Sequence, residues 1–199
     1  MNDNIERIIF PTNNRTESCK FSYDDIGLYS ISIVKDAKET TLFIVSELYK
    51  LNKNPKQMTM MDATGGLGGN TISFCFAFKN VLSYEIEKFR FDMLSKNLSN
   101  YKFNNYRVYN NNCLENLNKE VDIYFFDPPW GGPEYKNVEK IRLKLDNKTL
   151  NQIIKDIRNI RKNAIISFKL PYNYDIEEFN KYKIKKYNIR NSLIILILS

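Results

Sequence analysis

The stretch QMTMMDATGGLGGNTISFCFAF, residues 57–78, decides the fold. An apolar run, 57–64, ends on an acidic residue and reads as a strand. GGLGGN, 65–70, holds four glycines and reads as a turn. Glycine there lets the backbone adopt positive φ and approach a ligand closely. TISFCFAF, 71–78, is apolar and long enough for a buried helix, by position rather than by propensity.

The same alternation continues in both directions. Residues 36–50 carry apolar positions at helical intervals, and Asp36 with Glu39 has capping-box spacing. Downstream, 80–86 is a strand ending at Glu85, 87–101 a helix and 106–111 a strand. A short helical turn follows at 113–118, then a strand at 121–127. Residues 148–160 form a helix, 163–171 a strand stopped by Pro171, and 175–182 a short helix. KIKKYNIR and SLIILILS close the chain as two adjacent strands joined at RNS. Strands alternating with helices predict an α/β fold: a seven-stranded, mostly parallel sheet covered on both faces, with an antiparallel last strand. The first 35 residues read as a polar, irregular extension.

Composition bounds the chemistry. The chain of 199 residues suits one domain, and a net charge of +7 favours an anionic partner such as nucleic acid. Histidine is absent, which excludes Ser-His and Cys-His triads and the usual zinc ligand sets. No metal is expected. The odd cysteines Cys19, Cys75 and Cys113 have no paired spacing, which fits a reducing compartment. The N-terminus does not resemble a signal peptide, and LIILILS is too short to span a bilayer, so no membrane partner is expected. KYKIKKYNIR, 181–190, reads as a strand with exposed lysines rather than as an RNA-facing patch.

Glu85 lies at the end of the strand after the turn, where a carboxylate can accept both hydroxyls of a ribose. Strand, glycine turn, strand and acid fit either a dinucleotide or S-adenosylmethionine. Asp62 just before the turn suits the second, whose sulfonium is cationic and which carries no phosphate. The third strand ends in NNNC, where Asn112 reads equally as an acceptor for an adenine amino group and as a plain turn residue. The fourth strand delivers Asp127 into DPPWGGPEY, 127–135. Ligand sites in open α/β sheets lie at such strand ends. Pro128 and Pro129 stiffen the loop, Asp127 is an acceptor for an exocyclic amine, and Trp130, the chain's one tryptophan, is a plate for a flat base.

DATGGLGGN, YEIEK and DPPWGGPEY in this order resemble the trimethylguanosine synthases, the RNA cap guanine-N2 methyltransferases. FSYDD at 21–25 and FKLPYN at 168–173 look like further segments of that family. The resemblance implies a Rossmann-like class I methyltransferase domain over 1–199, whose extension (about 1–35) contributes to the substrate site. It implies S-adenosyl-L-methionine held by Asp62, Thr64, Gly65, Gly66, Gly68, Asn70, Glu85, Asn112 and Asp127. It also implies a 7-methylguanosine cap on Trp130, with Asn70, Tyr135 and Lys169 around it. Asp127, Pro128 and Trp130 would carry catalysis, giving m2,7G or m2,2,7G.

There are departures. The family most often has Ser at the position of Asp127, and a phosphate-binding Arg at that of Tyr172. Lys169, Arg15 or Lys20 is expected to supply that charge instead. Thr64-Gly65 stands where the family usually has an aromatic and a Cys. The rival expectations are an amino-methyltransferase acting on guanine or adenine within RNA or DNA, and a catalytically silent cap- or RNA-binding module. The expected partner is m7G-capped RNA, the expected state a monomer, and the location intracellular, cytoplasmic or nuclear.

Overall fold

The central strand pair is β1 (Thr59–Asp62) with β4 (Ile123–Phe126), joined in parallel by Met60↔Ile123 and Asp62↔Phe125. The structure, a computed structural model, describes residues 3–12, 16 and 19–198. Around that pair lie β2 (Asn80–Tyr84) and β3 (Tyr106–Tyr109), parallel to their neighbours, and β7 (Ile165–Pro171), parallel to β4. Two short strands, β5 (Lys144–Leu145) and β6 (Lys148–Thr149), form a separate hairpin. Asp146 and Asn147 turn it with positive φ, as a two-residue hairpin turn requires.

The last strands are β8 (Ile184–Ile189) and β9 (Ser192–Ile197). The sheet order is β3-β2-β1-β4-β7-β9-β8. Thus β9, antiparallel to both neighbours, inserts between β7 and β8, and β8 rather than the final strand forms the edge.

Successive side chains of a strand face opposite ways, so each buried strand feeds two cores. Phe125 and Leu196 join one core, with Ile44, Leu48, Ile72, Phe74 and Leu94. Tyr124, Phe126, Ile195 and Ile197 join the other. The first is roofed by α3 (Val34–Lys50), α4 (Gly69–Ala77) and α5 (Lys88–Ser99). The second is roofed by α6 (Leu150–Ile160), whose Leu150, Ile153, Ile154 and Ile157 make one apolar stripe. Each such side chain contributes about 1.5–3 kcal/mol on burial. Thr149 and Gln152 close a capping box on α6.

Three expectations change. Helix α3 starts at Val34 with Ile33 at its cap and no side-chain cap bond, so Asp36 and Glu39 form no capping box. Asp36 instead sits in the first turn, 3.4 Å from Arg190, where an acid favours the positive helix end. Residues 176–179 make one 3-10 turn rather than a helix over 175–182. The extension is partly helical, with α1 (Asp3–Ile9) and α2 (Asp25–Ser30). Asp24 caps α2 by accepting from the Gly27 N–H, which is why FSYDD starts a helix. Arg15 lies outside the described residues.

Candidate functional site

The glycine turn closes the C-terminal end of β1 at the switch point between β1 and β4, where the chain returns from β3 across the sheet. The Gly65 N–H donates to the Tyr84 carbonyl (2.7 Å), and Gly66 and Gly68 adopt φ of +54° and +100°. Gly69 is required for a second reason. A side chain there would run into the Ser32 carbonyl oxygen and lie 2.9 Å from Ile31 Cγ1. The segment between α2 and α3 therefore lies directly on the start of α4. Asn97, fully buried in α5, fastens the extension further: it exchanges hydrogen bonds with the Ser22 backbone and donates to the Leu67 carbonyl (3.0 Å).

Asp62 is fully enclosed. Thr71 Oγ1 donates to it at 2.6 Å and the Thr64 N–H at 3.4 Å. Burial pushes its carboxyl up to about 7 against those two bonds, and Asp127 and Glu85 push the same way. Asp62 thus braces the turn from beneath. Glu85 accepts from the Gly66 N–H and the Glu87 N–H, both at 2.9 Å, so it ties the turn to the start of α5. A carboxylate so held keeps spare lone pairs for hydroxyl groups.

Asp127 lies at the centre. Its N–H donates to Thr64 Oγ1 (2.8 Å), which pins the Pro-Pro-Trp loop to the glycine turn. Lys169, from β7, donates to Asp127 Oδ2 and to Ser32 Oγ, both at 2.7 Å. Ser32 Oγ also accepts from Asn70 Nδ2 (3.0 Å), leaving its own proton for Asp127 Oδ2 (3.4 Å). Every side-chain donor in this cluster converges on Oδ2. No donor among the described residues reaches Oδ1. Asn70 Oδ1 is likewise buried with no hydrogen-bond partner. The carboxylate beside the Asn70 amide nitrogen fixes that orientation, since a flipped amide would set oxygen against oxygen. Two acceptor atoms on neighbouring side chains are thereby open to a donor.

Trp130 is half-buried, its edge against the second core and its ring edge-on to Tyr135 at 5.2 Å. The Lys169 ammonium lies over the indole, 5.5 Å from the ring centroid. Pro128 is buried and Pro129 exposed. Tyr135 is itself buried, and Asn173 holds the turn around it by donating to the Tyr135 and Val138 carbonyls. Burial, with the phenols of Tyr29 and Tyr172 beside it, raises the Tyr135 phenol above its ordinary range.

Two sequence expectations meet a different geometry. Lys169 does not face outward as a phosphate-binding cation; it is 7% exposed and turned onto Asp127. A buried ammonium needs a carboxylate, and β7 neighbours β4, which supplies one. Asn112 is engaged at both ends of its amide, accepting from the Leu114 N–H (3.0 Å) and donating to Asp146 (2.8 Å). Lys20 is exposed beside α5, its carbonyl accepting from Asn100. Sequence reasoning missed Ser32. One of the two serines of SISIV carries no local signal of a role 95 residues away.

The polar groups around this corner are the carboxylates of Asp62, Glu85 and Asp127, the Asn70 carbonyl oxygen and one lysine already paired. Such a set suits a cationic ligand rich in donors, such as a sulfonium with an ammonium and ribose hydroxyls, better than a pyrophosphate. Among the described residues no helix is long and apolar enough to cross a membrane.

Comparison with known proteins agrees with this corner. The model of the family described as RNA cap guanine-N2 methyltransferase matches residues 57–197. Protein L320 of Acanthamoeba polyphaga mimivirus is 30% identical over 97% of this chain and 85% of its own length. The trimethylguanosine synthase of Saccharomyces cerevisiae is 26% identical over 64% of this chain, a match spanning 42% of the yeast protein. Among solved structures, a Streptococcus mutans protein described as a putative methyltransferase in complex with SAH superposes with a TM-score of 0.55 at 13% identity. That superposition covers 79% of this chain and 97% of the other.

Proposed function

The chain belongs to the RNA cap guanine-N2 methyltransferase family, and on that premise we propose that it transfers a methyl group to N2 of a 7-methylguanosine RNA cap. It is an S-adenosyl-L-methionine-dependent methyltransferase. Glu85, the glycine turn and the open Asn70 Oδ1 would hold S-adenosyl-L-methionine, which would supply an electrophilic methyl group. Asp127 Oδ1 would accept one N–H of the guanine amine, orient its nitrogen lone pair, and take the proton the nitrogen sheds as the N–C bond forms and the sulfonium S–C bond breaks to leave a neutral thioether. Lys169, Ser32 and Asn70 fix Oδ2, so the carboxylate does not rotate away. Pro128 keeps the loop stiff, and the Trp130 ring aligns the base. Alignment of this kind is worth about 7–11 kcal/mol in well-oriented systems.

The observation carrying this reading is the asymmetry of Asp127, whose three donors crowd one oxygen and leave the other bare. A second reading rests on the Lys169 ammonium over the indole. A cation already at that face disfavours a cationic 7-methylated base by like-charge repulsion and favours a neutral purine within RNA or DNA. One experiment separates them. The protein is incubated with methyl-labelled S-adenosyl-L-methionine and, in parallel, m7GpppA, GpppA and uncapped oligonucleotides. Transfer to m7GpppA, mapped to N2, is expected. Robust transfer to an uncapped strand with none to m7GpppA would overturn the cap reading.

A further inference from the structure

Tyr172 is the residue at which the chain leaves β7, and it is 56% exposed. Its ring meets Tyr135 edge-on at 6.5 Å, and Tyr135 meets Trp130 at 5.2 Å. Three aromatic rings therefore lead outward from the Asp127 corner. Where they end, a hollow of about 260 Å³ opens, lined by Tyr172, Tyr174, Ile176, Lys186, Asn188 and Leu193.

Strand register explains why a lysine stands there. Asn188 pairs with Leu193 and Lys186 with Ile195, so both share the sheet face of those residues. Lys185 and Tyr187 point the other way, where Tyr187 stacks on Phe43 of α3 at 5.2 Å. The acids flanking the hollow are already engaged: Asp175 by Arg142 at 2.8 Å, Glu177 by Lys140 at 3.1 Å, and Glu178 by the Tyr174 hydroxyl and the Asn151 N–H. Lys186 has no acidic partner among the described residues. Residues 181–199 hold five basic side chains and no Asp or Glu. An exposed aromatic face beside an uncompensated ammonium, continuous with a base-binding plate, is the arrangement that grips single-stranded nucleic acid without reading its sequence.

We propose that this hollow is a second subsite, taking the nucleotide that follows the cap: its base stacks on Tyr172 and its phosphate faces Lys186. The inference rests on the cap reading for its direction of entry. The strand leaves over Tyr172 toward the basic edge strand β8, and the subsite is tolerant of base identity. A substrate longer than the cap alone is therefore the better one.

Steady-state methylation of m7GDP, m7GpppA and an m7G-capped trinucleotide tests this with the native chain, Tyr172→Ala and Lys186→Glu. KM is expected to fall about ten-fold from m7GDP to the capped trinucleotide with kcat unchanged. Tyr172→Ala erases that gain and leaves the m7GDP KM within about two-fold, while Lys186→Glu shrinks the gain and flattens its salt dependence. Equal KM at all lengths overturns the proposal. So does a Tyr172→Ala effect on m7GDP as large as on the trinucleotide, which would make Tyr172 part of the cap pocket itself. Failure of the cap reading shows separately, as no methylation of any capped ligand. In that case anisotropy of a labelled uncapped hexanucleotide decides: weaker binding by both variants supports the subsite, and unchanged binding removes it.

Discussion

Replacing Lys169 by Met leaves the Asp127 carboxylate in a corner where its own side chain is only 14% exposed. Truncating one partner of a fully buried pair costs about 3–5 kcal/mol, because the remaining charge is uncompensated. Here Ser32 and Asn70 still reach Oδ2 and some solvent remains, so about 2–3 kcal/mol is expected. Asp127→Asn should cost a similar amount by stranding Lys169, which keeps Ser32, the indole and the charge of Asp36 but no direct carboxylate contact. The double variant has neither orphan. Its loss should therefore fall short of the sum of the singles by about 1–3 kcal/mol, the coupling typical of residues in one network. Urea denaturation of the four proteins at pH 7.5 measures the cycle. Catalysis should follow a different pattern. Lys169→Met removes the shortest of the three bonds on Oδ2, and a misplacement near 1 Å lowers kcat by about 10²-fold while cofactor affinity changes little. Additivity within about 0.5 kcal/mol, or an unchanged kcat, would refute the reasoning.

Asp62 is predicted to make stability fall as pH rises. Its folded-state carboxyl titrates at about 7 against 3.8 ordinarily, so the native chain holds the extra proton between those values. The penalty builds across that window to an upper bound of about 4 kcal/mol and is flat above it. Asp62→Asn should remove this slope between pH 4 and 7 in thermal melts, and an unchanged slope would contradict it. Trp130→Ala should weaken m7GDP binding by about 5- to 30-fold, the stacking and cation–π worth of about 1–2 kcal/mol, with cofactor affinity within about three-fold by calorimetry. Equal loss of both would mark Trp130 as a folding residue. Gly69→Ala should cost about 1–3 kcal/mol, because the obstacle is the Ser32 backbone oxygen rather than a flexible side-chain tip. It should also lower transfer by drawing Ser32 off Lys169, which a melt and a rate measured on one preparation would show.

The alternation of strands and helices, the glycine turn and the strand-end acids Asp62, Glu85 and Asp127 were legible from the sequence. Each rests on the chemistry of one contiguous segment: a period of 2 or 3.6, a positive φ, a proline that stops a strand. The partners of those acids were not legible. Lys169 reads as a free cation in FKLPYN, yet β7 lies beside β4, and its ammonium has to find Asp127, 42 residues away in sequence. Ser32 reads as an ordinary residue in SISIV, yet Gly69 lets its backbone settle on α4, which brings its hydroxyl between Lys169 and Asn70. Lys186 reads as one of several lysines until the β8–β9 register turns it, and not Lys185, toward Tyr172. Periodicity belongs to a segment. The neighbour of a buried charge belongs to the sheet order, which forms only when distant strands pair and water leaves between them.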